Sequence, residues 1–411
     1  MSTPPAGGRW GLLGRNAAFR SLWTARLVSY VGDGIATVAL VLLVSEGHPA
    51  TAVGGLLLAE AVPGLMAPIL GALSDRRPDR RALMVQCELG QAVLYGAIAV
   101  WLPPYAWLLV LVGFATLFSR TFSAASKSSI PALVERDDLL SANALIGTVF
   151  NLQVALGPAI GGLLVALSGG SRTAIAIDAG TFLASGLLML SLPRVPRAAS
   201  GAPEGGLWTD TREGLVHIWR DPLLRVIVAS MFAFVMFASI DNVAVVFLVR
   251  DVLDAGPFAY GVAMSGFGVG MIVGALGLVR RWSSVHPATI VGAGMFFTGA
   301  GNLLVGVSPV VGLVIVFMAL AGVGNGIGLV GEDTLLQRHV PEHLLGRVVG
   351  AVGSAIFLGS IVAYTAGSIV VDVTSPRTAL IASGIAVFAV AGLAWPVLSR
   401  AAASDRAPAS E

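Results

Sequence analysis

Charge is what this chain has least of. Asp, Glu, Lys and Arg together make 12% of its 411 residues, about half the ~25% of a soluble globular protein. A water-facing surface around a core of this size is therefore excluded. The single cysteine, Cys87, excludes an intramolecular disulfide and leaves a thiolate metal site without a second ligand. Lysine is almost absent too: Lys127 stands alone among 25 basic residues, amid abundant Ala, Gly and Val, a bias that points to a GC-rich bacterial source. No Gly-Lys-Ser/Thr phosphate loop occurs, which argues against ATP-driven chemistry within the chain. The opening "MSTPPAGGRWGLLGRNAAFR" has no apolar core ending in small residues, so no cleavable signal is expected.

What fills the chain is hydrocarbon: 56% of residues are hydrophobic, mean hydropathy is +0.85, and there are 51 glycines. Long apolar stretches are the mark of membrane helices, each needing about 20 residues to cross a ~30 Å core, and glycine lets such helices approach closely. The runs are unbroken, as in "TAIAIDAGTFLASGLLMLSL" (173–192), which excludes the alternating ~10-residue strands of a porin. Hydropathy predicts twelve spans at 18–44, 51–73, 82–102, 105–127, 141–167, 173–192, 223–249, 257–279, 287–307, 309–330, 345–371 and 377–399. The one long polar connection divides them, giving an N-terminal six-helix bundle (1–192), a linker (193–222) and a C-terminal six-helix bundle with a short tail (223–411). Within the linker, "TREGLVHIWRDPLLR" (211–225) is basic and amphipathic, the pattern of a helix lying on a membrane surface.

Positive charge orients the whole. With the N-terminus in the cytoplasm, 20 Lys and Arg fall on cytoplasmic segments and three, Arg172, Arg250 and Arg377, on the other side. Both termini are thus expected in the cytoplasm. An internal repeat supports the halving. "LVERDDLLSANAL" (133–145) pairs with "HVPEHLLGRVVGAV" (339–352) at an offset of 205, and "GALSDRR" with "GALGLVRR" at 203. "GDGIATVALVLLV" pairs with "IDNVAVVFLV" at 208, which sets Asp33 opposite Asp241. Two parallel six-helix repeats are the build of a large class of secondary transporters.

At this point the residues resemble the major facilitator superfamily, along nearly the whole chain. "GALSDRRPDRR" (71–81) is similar to that superfamily's loop between helices two and three, Gly-x-x-x-Asp-Arg-x-Gly-Arg-Arg. Gly71, Asp75, Arg76, Arg80 and Arg81 match it, with Pro78 and Asp79 where Gly and Arg are usual. "GPAIGG" (157–162) resembles the core of the antiporter element of span five. Arg120 matches the embedded arginine of drug/proton antiporters, with Ala124 in place of a usual Gly. The resemblance implies an all-α fold of two pseudo-symmetric bundles and the efflux branch that includes macrolide and enterobactin-type siderophore exporters. It also implies a monomer that uses a proton gradient and no cofactor.

Ionisable groups inside a bilayer cost several kcal/mol and mark function by default. Arg26, Tyr30 and Asp33 stand at i, i+4 and i+7 and share a face of span one. Glu60, Arg120 and Asp241 lie inside spans two, four and seven, and Asn151 and Gln153 are further polar candidates. Asp33 or Glu60 would carry the proton; a structural Arg26–Asp33 ion pair, or an Arg26 reaching the headgroups, is the plainer alternative. Gly157, Pro158, Gly161 and Gly162 would form a flexible, closely packed hinge. Gly71, Asp75, Arg76, Arg80, Arg81 and Arg136 would form a cytoplasmic gate, with Asp75 latching onto Arg136 or a helix N-terminus. The glycine strings "GFGVG" (266–270) and "GVGNGIG" (322–328) lie inside spans and are expected to pack helices. His339 and His343, separated by Pro341, are expected in a solvated loop, and no metal site is expected. The leading expectation is proton-coupled efflux of an amphipathic small molecule. Export of a siderophore or other secreted metabolite is the alternative, and a membrane enzyme or sensor is disfavoured, since no nucleophile–base or metal cluster is present.

Overall fold

The structure, a computed structural model, describes residues 11–66, 69–71, 74, 77–195, 216–278, 281 and 285–404. Regular structure among them is helical throughout. The helices in chain order are α1 (Ala17–Ser45), α2 (Ala50–Ala61), α3 (Arg80–Trp101), α4 (Tyr105–Leu133), α5 (Leu139–Ser168) and α6 (Ser171–Met189). They continue with α7 (Pro222–Ala238), α8 (Pro257–Ile272), α9 (Pro287–Val307), α10 (Val311–His339), α11 (Glu342–Val362) and α12 (Pro376–Ser404). One helix falls on each expected span. Among the described residues ten spans are long and apolar enough to cross a membrane. The others are α2, which runs on as a 3-10 turn at Val62–Met66, and α6, whose 19 residues carry Arg172 and Asp178. Large apolar side chains such as Val93, Val100, Leu140, Leu167 and Leu393 face outward, as lipid-facing positions do.

Among the described residues three helices run well past their predicted ends, among them α12, which reaches Ser404. α4 reaches Leu133 and α10 reaches His339, because polar residues there keep helical geometry until Val134 and Val340 turn extended. Asp75, Arg76 and residues 196–215, with most of the expected linker, lie outside the described residues.

Contacts group the chain into one unit of Met1–Glu46 with Ala59–Ser200 and a second of Gly47–Leu58 with Gly201–Glu411. In the first unit α1 packs on α5 and α6, and α3 on α4 and α6, around Phe19, Leu22, Met84, Phe122, Leu145 and Met189. Asn16 starts α1, its side chain accepting from the Phe19 amide at 2.9 Å and donating to the Leu133 carbonyl at 2.7 Å. Asp79 caps α3 through the Arg81 amide at 3.0 Å.

In the second unit α9 packs on α10 and α12, α8 on α10, and α7 on α11 and α12, around Leu224, Met231, Val291, Leu336 and Val387. The glycine strings pack helices as expected: a Cβ on Gly270 would strike the Ala319 carbonyl, and one on Gly322 the Phe267 carbonyl. α7 ends at a turn, 239–240, and resumes as a helix at Asp241–Phe247, followed by a wide π turn at Leu248–Val252.

Two carboxylates hold helix starts here. Asp372 accepts from the Ala50 and Thr51 amides at 2.6 and 2.9 Å, capping α2. Losing such a cap costs about 1 kcal/mol, so Asp372→Ala is expected to lower the unfolding midpoint of the purified protein by a few degrees. Asp221 caps α7 through the Leu223 and Leu224 amides at 2.8 and 3.1 Å, and lies 2.8 Å from His339 Nε2. His339 is therefore not a loop residue: it ends α10, where Pro341 stops the helix, and ties that end to α7. Partial burial raises the Asp221 carboxyl, but the His339 and amide hydrogen bonds outweigh it and hold it below the ordinary carboxylate value. A depressed carboxyl stabilises the fold above its unfolded pKa, ~3.9, and that stability is lost as pH falls through the lower folded value. Asp221→Ala should thus weaken the protein at pH 7 and make its unfolding midpoint less sensitive to acid below pH ~4.

Candidate functional site

A cavity of about 550 Å³ opens within the first unit. α1 supplies Arg26, Tyr30, Asp33 and Thr37; α2 supplies Glu60; α3 supplies Gln91 and Tyr95; α4 supplies Arg120 and Lys127; α5 supplies Phe150 and Gln153. Helical spacing puts Arg26, Tyr30 and Asp33 on one face of α1, as predicted, and Thr37 lines the cavity with them. Asp33, Glu60 and Arg120 come within electrostatic reach of one another although they stand on three helices. Two acids thus share a single cavity with three basic side chains, Arg26, Arg120 and Lys127, and Arg120 is the one whose charge acts on both acids.

Arg26 behaves differently from both plain expectations. It is 2% exposed, so it does not reach toward headgroups. Its guanidinium donates to Ser126 Oγ at 2.5 Å and to the Tyr30 hydroxyl at 2.7 Å, and sits 4.8 Å from the Tyr30 ring centroid. It bonds to hydroxyls rather than forming an ion pair with Asp33. Asn151 does not line the cavity; Gly147, Phe150 and Gln153 define the inward face of α5, and Asn151 is off it.

Three buried carboxylates escaped the sequence reading. Glu88 on α3 and Asp178 on α6 are each 0% exposed. Thr181 donates to Asp178 Oδ1 at 2.9 Å, while Asp178 Oδ2 has no hydrogen bond. Ser29 and Ser185 stand near Glu88, but neither of its oxygens is in a well-aligned hydrogen bond. Asp178 presses on the backbone of α1 at Gly32, where a Cβ would strike it. Asp33 thus has a second layer of acid behind it, with Glu88 also near Arg26. Glu332 on α10, in the second unit, is the third. Asp178 sits inside the very stretch that reads as an unbroken apolar run.

The antiporter-like element packs against this site. Gly157 meets Gly34 so closely that a Cβ on either would come within 3.0 Å of the other's Cα, and one on Gly161 would lie 2.7 Å from the Ile35 carbonyl. Pro158 sits between them, and Gly162 is buried. The element therefore holds α5 against α1 beside Asp33, within one unit.

The expected gate residues are spread out. Arg80 donates to the Ser128 carbonyl at 3.0 Å and Arg81 to the Leu192 carbonyl at 3.0 Å, tying the start of α3 to α4 and to the chain just past α6. Gly71 has open space where a Cβ would stand. Arg136 is exposed on a 3-10 turn. Asp75 and Arg76 lie outside the described residues. In the second unit Asp241 is 6% exposed and lines a cavity of about 130 Å³, its Oδ1 accepting from Asn242 Nδ2 at 3.0 Å.

The family profile described as transmembrane secretion effector, a branch of the major facilitator superfamily, matches residues 10–410. The chain belongs to this family. Its relatives include the multidrug efflux pump Tap of Mycolicibacterium fortuitum, 29% identical over 86% of this chain and 87% of that one. The enterobactin exporter EntS of Escherichia coli O1:K1 is 27% identical over 85% of this chain and 86% of its own. The crystal structure of the nucleoside transporter NupG superposes with a TM-score of 0.76 over 92% of this chain and 98% of that one, at 14% identity. As a major facilitator protein the chain is a multi-pass membrane transporter of small molecules and not an enzyme.

Proposed function

We propose that this major facilitator protein is a proton-coupled exporter of amphipathic small molecules, working by alternating access in a bacterial cytoplasmic membrane with both termini in the cytoplasm. The observation that carries the reading is the first-unit cavity, where Asp33 and Glu60 stand together within reach of the Arg120 charge. Carboxylates so placed can hold a proton or release it as a neighbouring cation's influence changes, which is what lets one pocket alternate between proton and cargo. One inward proton supplies about 2.3 kcal/mol per 100 mV, enough for roughly 50-fold accumulation at 1.4 kcal/mol per tenfold. The mechanism calls for no cofactor. The likeness to Tap supports a drug-like cargo; the likeness to EntS supports a second reading, export of a siderophore or similar secreted metabolite. Expressed in an efflux-deficient host, the protein should lower ethidium accumulation, and a protonophore should restore it. Accumulation that ignores the protonophore would rule out the coupling. Deletion of the native gene, with cells scored for a trapped metabolite, separates the two cargo readings.

A further inference from the structure

We propose that the second unit holds a subsite for the cationic end of an amphipathic substrate, with Glu332 as its counter-ion. The inference rests on the exporter reading and names the chemistry of its cargo. A cavity of about 230 Å³ lies among α7, α9, α10 and α11, and Glu332 lines it at 7% exposure. It adjoins the 130 Å³ cavity of Asp241, the two sharing Phe234, Val235, Ser239 and Asn325. The walls are Met231, Met295, Phe234 and Leu329, with Met264 and Phe267 in the adjoining space.

Among the described residues no Arg, Lys or His lines either cavity, and no hydrogen bond or ion pair engages the Glu332 carboxylate. The first-unit cavity, in contrast, carries Arg26, Arg120 and Lys127. A carboxylate buried without a partner costs several kcal/mol and takes up a proton instead; a cation seated beside it lets the group ionise, which suits the Glu332 site to a positive charge. Thioether sulfur and aromatic faces attract lipophilic cations as well as apolar groups, whereas an anionic or strongly hydrated cargo would gain nothing from these walls. Ligand pockets for whole drug-sized molecules run roughly 300–1,000 Å³; the smaller space here suits one head group.

The test uses the full chain in lipid nanodiscs and two probes of similar shape. Tetraphenylphosphonium carries a charge that does not titrate, and triphenylphosphine oxide is neutral. Wild type should bind the cation more tightly. Glu332→Gln should weaken cation binding about tenfold or more and leave the neutral probe unchanged, whereas Asp333→Asn, at the exposed neighbour, should alter neither. A second measurement needs no variant: tetraphenylphosphonium, but not the oxide, should protect Glu332 from carbodiimide labelling read by mass spectrometry. Equal affinity of wild type for both probes, unchanged cation binding in Glu332→Gln, equal weakening of both probes, or labelling indifferent to the cation each overturns the subsite. In that event protonophore-sensitive ethidium extrusion by Glu332→Gln would leave the exporter reading standing, while its absence from wild type would sink that reading instead.

Discussion

Asp33→Asn combined with Glu60→Gln is expected to abolish protonophore-sensitive extrusion while the protein still reaches the membrane. Both carboxylates line one cavity with Arg120, on helices that come from separate stretches of the chain. Amide isosteres keep the volume and most of the polar character and remove the capacity to carry a proton. Without that capacity the ~2.3 kcal/mol per 100 mV drawn from each inward proton is lost, and the steady-state gradient should fall from roughly 50-fold toward unity. Single variants separate the roles. If one carboxylate carries the proton and the other tunes it, one single variant abolishes extrusion and the other shifts its pH dependence. Arg120→Gln should also fail, since the cation that opposes both carboxylates is gone; Arg120→Lys should retain part of the activity.

The second large effect is structural and falls next to the same site. Gly157→Leu is expected to cost about 3 kcal/mol or more, a large share of the 5–15 kcal/mol that holds a typical protein folded. The glycine faces the Gly34 backbone, so no flexible side chain can move aside. Moving the backbone of α1 would displace Asp33, one residue away. The expected result is a sharp fall in membrane yield and in the unfolding midpoint by fluorescence-detected gel filtration. Gly157→Ala should show a smaller loss in the same direction. Gly96→Ala, on α3 where a Cβ meets nothing, should stay within about 0.5 kcal/mol of wild type. Comparable losses at both glycines would mean that the α1–α5 crossing has no special place in the fold.

These two sites differ in how far the sequence foretold them. The face shared by Arg26, Tyr30 and Asp33 follows from helical spacing alone, and the Arg26–Tyr30 hydrogen bond is its direct expression. The Ser126 partner of Arg26 lies 100 residues away and no local pattern announces it. The long helices on the expected spans, ten of them apolar and long enough to cross a membrane among the described residues, were legible because hydrocarbon runs of this length have few other uses. Glu88 and Asp178 were not, because one acid in a long apolar run barely lowers its average hydropathy, and Glu332 was not because it stands beside Asp333 past the predicted end of span ten at 330. Whether such an acid faces lipid, solvent or another helix depends on neighbours the run does not name. Asn151 shows the converse: a polar residue in a span is conspicuous, yet two positions from Gln153 it is already off the cavity face. In "GALSDRRPDRR" the charges read as orientation and gating. The structure adds a plainer use for three of them, with Asp79 capping α3 and Arg80 and Arg81 binding carbonyls at Ser128 and Leu192.

Proton movement driven by cargo is the most direct test. In everted membrane vesicles energised to an acid interior, read by a pH-quenched acridine dye, adding ethidium should release part of the quench as protons leave in exchange for it. Wild type is expected to show that release, and the Asp33→Asn/Glu60→Gln protein none at equal abundance. An equal release from the double variant, or no release from a wild type that demonstrably moves ethidium, would contradict proton exchange through this cavity.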